Sequence, residues 1–178
     1  MVERADVPTP VTVDAERFKA AFRHHAAGVA VVTADVNGPL ALTASSVTSV
    51  SADPAVLLFS ASSTTVTGRA LATASSAVVH LLDADDHALA VRCADPAVDR
   101  FADPTAWERL ATGEPAFLGP RLLLRGAVCE RLVFGEATVV VLAVTDVIDR
   151  RAGGASARPA LVYVNRGWHR LGPESTIG

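Results

Sequence analysis

Hydroxyl side chains, rather than acids, bases or nucleophiles, are the chemistry most concentrated in this chain. Thr43, Ser45 and Ser46, then Thr48, Ser49 and Ser51, fall within a β-prone run that ends at Asp53-Pro54. Strands favour β-branched and apolar residues. A run so rich in small hydroxyls points to a surface that hydrogen-bonds a bulky ligand; the alternative is a hydroxyl-rich sheet edge paired with water. A second cluster, Ser60, Ser62, Ser63, Thr64, Thr65 and Thr67, follows the next strand. Two such clusters at the same ends of neighbouring strands can cradle a phosphate through hydroxyls and loop amides. No G-x-x-x-x-G-K phosphate loop occurs. The pattern therefore implies a ligand that brings its own reactivity to a site built of hydroxyls and backbone amides.

The other reactive residue types support no competing chemistry. His24 and His25 are adjacent, so on a helix they point in different directions, whereas a metal pair needs i, i+4 spacing. His87 follows Asp83, Asp85 and Asp86, but the central glycine and closing glutamate of a calcium loop are missing. These acids suit a helix N-terminus. His169, beside Trp168, could rim a pocket. His80 lies inside an apolar strand, where it is either satisfied by backbone or in contact with the ligand; it is counted among the candidate contacts. Cys93 follows Arg92, which could lower its pKa, although a small buried thiol is the commoner outcome. No G-x-S-x-G nucleophile elbow occurs. No catalytic side chain and no metal ligand set are expected.

The elements that must position the hydroxyls follow from periodicity and punctuation. Asp14 can cap a helix from Ala15 to about His25, with Phe18 and Phe22 on one face and Gly28 beyond its end. Strands are expected over 28–33, 40–51 (long, possibly bent), 55–60, 77–82, 125–133 and 137–148, with short ones over 160–164 and 168–171. Short helices are expected over 68–74 and 86–92, with a helical turn over 96–101 and a surface segment over 105–111. Asn37-Gly38 marks a turn, and Gly153-Gly154 a loop over 150–158. Strands outnumber helices without βαβ alternation, which predicts a closed or nearly closed barrel with peripheral helices.

With 178 residues the chain suffices for one domain with a real core. The reading divides it into a flexible arm over 1–13, a domain over 14–172 and a tail over 173–178. A net charge of −3 and the lack of a basic run disfavour nucleic acid as a partner. The longest apolar run, around 137–144, is too short to span a bilayer as a helix. Only Cys93 and Cys129 are present, without C-x-x-C spacing, which argues against a disulfide scaffold. Together with an N-terminus lacking a signal-like apolar stretch, this leads to an expectation of the cytoplasm.

Several of these segments, in order, resemble a known family. Gly28-Val29-Ala30-Val31-Val32-Thr33, then Thr43 through Pro54, are similar to the flavin reductase-like family, whose fold is the FMN-binding split β-barrel. Asp99-Arg100-Phe101 resembles its "DKF" segment, Ala127-Val128-Cys129-Glu130 its "A-x-x-E-C" strand, and Pro159 to Tyr163 with Trp168 to Leu171 its closing strands. The resemblance implies a mainly β fold, a six-stranded split barrel with peripheral helices, and a homodimer. It further implies hydride transfer from NADH or NADPH to FMN or FAD, with reduced flavin supplied to a partner monooxygenase. Carried over by position, Thr43, Ala44, Ser45 and Ser46 line the ring and ribityl chain, with Ser60 and Ser62 beside them. Thr65 and Thr67 fall at the phosphate, and His80 stands where the family has Asn. One departure is chemical: where members often read Gly-Asp-His, with a histidine facing the nicotinamide, this chain reads Gly135-Glu136-Ala137. That favours an alternative, a flavin-binding split barrel for electron transfer or flavin carriage without NAD(P)H chemistry. A related haem-binding barrel ranks last, with only His80 and His169 as conceivable ligands.

Overall fold

The computed structural model describes residues 13–151 and 158–177. Helix α1 (Ala15–Phe22) begins where the Asp14 carboxylate accepts the Arg17 N–H at 3.2 Å. None of its residues is buried; the Asn165 N–H donating to the Arg23 carbonyl at 2.7 Å ties its C-terminal end to the body.

The continuous apolar run after Gly28 forms β2 (Ala30–Asp35), preceded by the two-residue β1 (Ala27–Gly28). Next come β3 (Pro39–Ala44), β4 (Thr48–Ala52), β5 (Ala55–Ser62) and β6 (Ser76–Leu81). Helix α2 (Val66–Leu71) lies between β5 and β6, and α3 (His87–Ala94) follows β6. Two 13-residue strands, β9 (Leu122–Phe134) and β10 (Ala137–Asp149), make a long hairpin. The described chain closes with β11 (Ala160–Val164) and β12 (Gly167–Leu171).

The main sheet is antiparallel and has seven strands in the order β3-β2-β6-β9-β10-β5-β4, one more than the six expected. A second, smaller sheet has the order β1-β11-β12, so the fold is split-barrel-like rather than one closed barrel. Val32 of β2, Val79 of β6, Val140 of β10 and Phe59 of β5 share one fully buried cluster. Strands far apart in the sheet order can meet in one core only if the sheet coils round it. Burying such a side chain contributes roughly 1.5–3 kcal/mol.

The long strand expected over 40–51 is instead two strands at opposite ends of the sheet. β3 pairs with β2, whereas β4 pairs with β5, and residues 45–47 cross the seam between them. Ser46 spans the gap, its Oγ accepting the Ser60 N–H at 2.9 Å. Ser46→Ala should cost about 1 kcal/mol, read as a lower urea midpoint with an unchanged slope. An unchanged midpoint would mean that water replaces this tie.

A second cluster joins the sheet to α3 through Val31, Ala41, Ala90, Phe117 and Leu161. The segment expected at the surface over 105–111 lies there, with none of its residues buried, whereas the helical turn expected over 96–101 is replaced. No helix forms over 96–101; the Phe101 ring stacks on Phe117 at 5.1 Å and Trp107 meets Phe101 edge-on at 5.0 Å. The Trp107 indole N–H also donates to the Phe101 carbonyl at 3.2 Å. Those contacts hold a short ladder of β7 (Trp107–Arg109) and β8 (Pro115–Phe117). The proposed arm over 1–13 lies outside the described residues except for Val13, as does the Gly153-Gly154 part of the loop over 150–158. Among the described residues no helix is long and apolar enough to cross a membrane, and no group of three His, Cys, Asp or Glu side chains could hold a metal ion.

Candidate functional site

Three hollows adjoin along the end of β3. The first, of about 590 Å³, is lined by Thr43, Ser60, Ser62, Thr65, Thr67 and Arg100, among others. It shares Thr43 and Ala94 with a smaller hollow of about 190 Å³ bounded by Val29, Ser45, Tyr163 and Trp168. Ser45 and Tyr163 lead on to a third, of about 590 Å³, beside α1. Thr43 of the first hydroxyl cluster therefore meets the second cluster at one end of an elongated trough, and Ser45 faces the rest of it.

The hydroxyl end is assembled by a tight turn. Thr65 Oγ1 accepts the Gly68 N–H at 3.0 Å and so caps α2. A Cβ at Gly68 would stand 2.1 Å from the Ser62 carbonyl oxygen, so only glycine permits this approach. Ser62 Oγ and Thr64 Oγ1 hydrogen-bond at 2.7 Å. The Arg100 guanidinium completes the wall: Nη1 donates to Thr67 Oγ1 at 3.1 Å, Nε to the Cys93 carbonyl at 3.1 Å and Nη2 to the Asp95 carbonyl at 3.0 Å. Because Thr67 accepts from Arg100, its own proton is free to donate. A guanidinium has five N–H groups, so two remain for a ligand. A fixed cation, a free hydroxyl and a polar turn make a site for an anionic group such as phosphate.

Arg100 carries the charge of this end, yet the sequence reading gave it no role. The signal was present: it is the lone cation of the Asp99-Arg100-Phe101 segment. Its importance comes from contacts to α3 and α2 that local spacing does not reveal.

The first hydroxyl cluster divides its work. Thr43 Oγ1 donates to the Ala90 carbonyl at 2.6 Å, which fixes α3 against β3 and leaves only its lone pairs toward the trough. Ser45 is exposed and faces both neighbouring hollows. Ser46 is committed to Ser60 as described. The Ala44 side chain does not reach the trough: at 5% exposure its methyl packs in the core with Val32 and Phe59, because alternation along β3 turns it away from Thr43 and Ser45, which leaves the lining expected of Ala44 to its backbone.

The expectation for His80 is corrected. It lies on β6, inside the sheet, with no exposure. Nδ1 is 3.0 Å from the Val31 carbonyl and Nε2 accepts the Phe117 N–H at 3.0 Å. The pair of bonds fits the neutral tautomer protonated on Nδ1. Burial holds the ring down to about 4, against an ordinary 6.5, with the nearby Arg150 charge adding to the effect. Both nitrogens are spent on backbone, so His80 is a core residue and none remains for a ligand.

The walls of the trough offer little acid–base chemistry. Burial pushes the Cys93 thiol up to about 11, outweighing the nearby charges of Arg92 and Arg100. Ala137 opens β10 directly opposite Ser62 of β5, so its methyl neighbours the hydroxyl end where an imidazole was looked for. In the middle hollow the Trp168 ring meets Tyr163 edge-on at 4.9 Å and His87 at 5.4 Å. That aromatic corner, opposite Thr43 and Ser45, suits a flat ring system.

Comparison with known proteins points the same way as this geometry. An NADH:FMN oxidoreductase of Rhodococcus qingshengii is 39% identical over 147 residues, which is 82% of this chain and 77% of that protein. A flavin reductase domain protein of Arthrobacter sp. FB24 superposes with a TM-score of 0.80 at 31% identity, covering 89% of this chain and 96% of the other. The flavin reductase component of a bacterial two-component tryptophan halogenase superposes with a TM-score of 0.76 at 29% identity, covering 89% and 98%. The flavin reductase like domain matches residues 22–172, nearly the whole described fold, and the chain belongs to that family.

Proposed function

We propose that this chain is an NAD(P)H-dependent flavin reductase that reduces FMN or FAD and passes it to a separate monooxygenase. The observation that carries the reading is the trough itself: a hydroxyl and guanidinium end for a phosphate, joined to an aromatic-walled hollow for a flat ring. A bound flavin supplies the hydride acceptor. The protein's part is to bind and orient. Arg100 and Thr67 hold the phosphate, and the Ser62–Gly68 turn shapes its cradle. Ser60 and Ser62 border the sugar-like chain. Ser45, with the wall fixed by Thr43, borders the ring, and Tyr163 and Trp168 exclude water from its edge. The R. qingshengii relative is described as acting on NADH and FMN, and the halogenase component serves a two-component system. Those descriptions support the donor, acceptor and partner proposed here.

Homodimerisation belongs to the same proposal. The β9–β10 hairpin ends in Leu132, Val133 and Phe134, with Val133 71% and Phe134 65% exposed. Apolar groups presented together in this way suit a second copy of the chain.

Ala137 gives the second reading its weight: a flavoprotein that does not take hydride from a nicotinamide. Anaerobic stopped-flow mixing of the FMN-loaded protein with NADH, and separately NADPH, tests both. Rapid bleaching of the oxidised-flavin band is expected and would identify the donor. Bound flavin that neither donor bleaches would overturn the reductase reading and leave the carrier one.

A further inference from the structure

We infer that Trp107 is a positioning residue for the phosphate end of the trough: it clamps Phe101, and through Phe101 it sets where the Arg100 guanidinium stands. The inference rests on the reading of that end as a flavin phosphate site, and it adds a residue that does not line the trough at all.

Arg100 occupies an unsupported stretch for a side chain that must hold an anion. The connection from α3 to β7, residues 95–106, contains no helix and no strand. Every residue in it except Arg100, Phe101 and Ala106 is exposed. A segment with so few buried groups has little local stability of its own. The guanidinium keeps its acceptors, Thr67 Oγ1 and the Cys93 and Asp95 carbonyls, only while the backbone at Arg100 stays within reach of them.

Phe101, the next residue, supplies that hold. Its ring lies nearly parallel to the Phe117 ring, with centroids 5.1 Å apart and planes 11° from one another. Phe117 is 1% exposed on β8 and forms a fixed base for the stack. The Phe101 N–H donates to Asp99 Oδ1 at 2.9 Å, which closes a turn around Arg100 itself. Trp107 then grips Phe101 in two ways. Its ring meets the Phe101 ring edge-on at 5.0 Å, and its indole N–H donates to the Phe101 carbonyl at 3.2 Å. One side chain thus fixes both the ring and the backbone of the residue beside Arg100.

Trp107 is braced in turn. It opens β7 directly opposite Phe117 of β8, so the two strand positions that hold Phe101 are paired with each other. On β7, the Arg109 guanidinium lies 5.8 Å from the Trp107 ring centroid and is anchored to Asp35 at 2.5 Å. Filling this volume would ask only for a large apolar side chain. The bond to the Phe101 carbonyl asks for the indole N–H as well, and that bond reaches the backbone next to the anion-binding group.

The test compares FMN with riboflavin, which lacks the phosphate. Flavin fluorescence quenching would give both affinities for the wild type, Trp107→Phe, Trp107→Leu, Arg100→Ala and the Arg100→Ala/Trp107→Phe double variant. Trp107→Phe keeps a ring and loses the N–H, so it should weaken FMN about threefold. Trp107→Leu loses the edge-on ring too and should weaken FMN roughly tenfold. Riboflavin should stay within about twofold in both, because the lost bond and ring contact act on the phosphate end alone. A general loss of stability lowers both affinities alike, so their ratio reads the placement of Arg100 rather than folding; if Trp107→Leu fails to fold, Trp107→Phe decides. In the Arg100→Ala background, Trp107→Phe should leave the ratio unchanged, since Trp107 acts through that guanidinium. A wild-type ratio in the folded Trp107 variants, or an FMN loss that adds in full to that of Arg100→Ala, would overturn the inference. The phosphate reading fails in a different way: Arg100→Ala would then leave the FMN-to-riboflavin ratio unchanged. A ratio that moves in Arg100→Ala and stays put in both Trp107 variants sinks the positioning role and retains the phosphate site.

Discussion

Replacing Arg100 by alanine is expected to weaken FMN binding by roughly 10- to 100-fold and to leave riboflavin within about threefold. The two ligands share the ring and ribityl chain and differ only in the phosphate. Hydrogen bonds to a charged group are worth about 1.5–3 kcal/mol, and each 1.4 kcal/mol is a factor of ten in affinity. Arg100 has two N–H groups left after its bonds to Thr67, Cys93 and Asp95, and it orients the Thr67 hydroxyl so that its proton points away from the guanidinium. Removing it deletes the cation and releases that hydroxyl together. Thr67→Val should give a smaller loss in the same direction. Arg100→Lys should fall between, since an ammonium keeps the charge but cannot reproduce the planar fork. Quenching of flavin fluorescence gives both affinities. An equal loss for FMN and riboflavin would show that Arg100 merely holds the α3 carbonyls in place and that the phosphate lies elsewhere.

The hydroxyl clusters were legible because polar side chains inside β-prone runs have no packing reason to be there. The mainly β architecture was legible for a similar reason: β2 opens on an apolar run, and β5 alternates buried with partly buried positions. The parting of β3 from β4 left no mark in the sequence. Ser45, Ser46 and Val47 are all tolerated in a strand, and the departure becomes visible only through the Ser46–Ser60 hydrogen bond, which closes the seam from a distance. β7 and β8 are three residues each, too short for a period, and stand on the Trp107–Phe101–Phe117 stack. The Ala44 methyl could have been placed in the core by counting alternate residues from Thr43. His80 could not, because β6 lies between β2 and β9 and its central residues are buried on both faces, so alternation is silent there.

His80 nevertheless sets the second large expectation, a loss of about 3 kcal/mol of stability as the pH falls from 6.5 to 4. The folded protein keeps the ring neutral down to about 4, whereas the unfolded chain protonates it near 6.5. Between those values the unfolded state holds more protons, so acid favours unfolding. The contribution is complete above 6.5 and is lost progressively as the pH falls through this window. A separation of that size corresponds to about 3 kcal/mol. The physical cause is burial, with the Arg150 charge adding to it; protonation would also take from the Phe117 N–H the lone pair on Nε2 that it donates to. Glu114 acts at lower pH: burial works to raise its pKa, but hydrogen bonds from Arg125, Ser76 and Thr112 hold it down to about 2 from 4.5. Its contribution is present above 4.5 and fades as the pH falls toward 2, below most of the His80 window; burial raises the Asp86 carboxyl, whose titration acts with the opposite sign, so the difference between the wild type and His80→Gln is what isolates His80. Urea unfolding across that window separates the possibilities. Glutamine can offer one donor and one acceptor without titrating, so His80→Gln should flatten the pH dependence there. His80→Leu should cost about 3 kcal/mol at neutral pH, since it strands two buried backbone groups. Both variants should bind FMN as the parent does once folded. A selective loss of FMN affinity in His80→Gln would return His80 to the cofactor site, and a wild-type slope that persists in the glutamine variant would place the titrating group elsewhere.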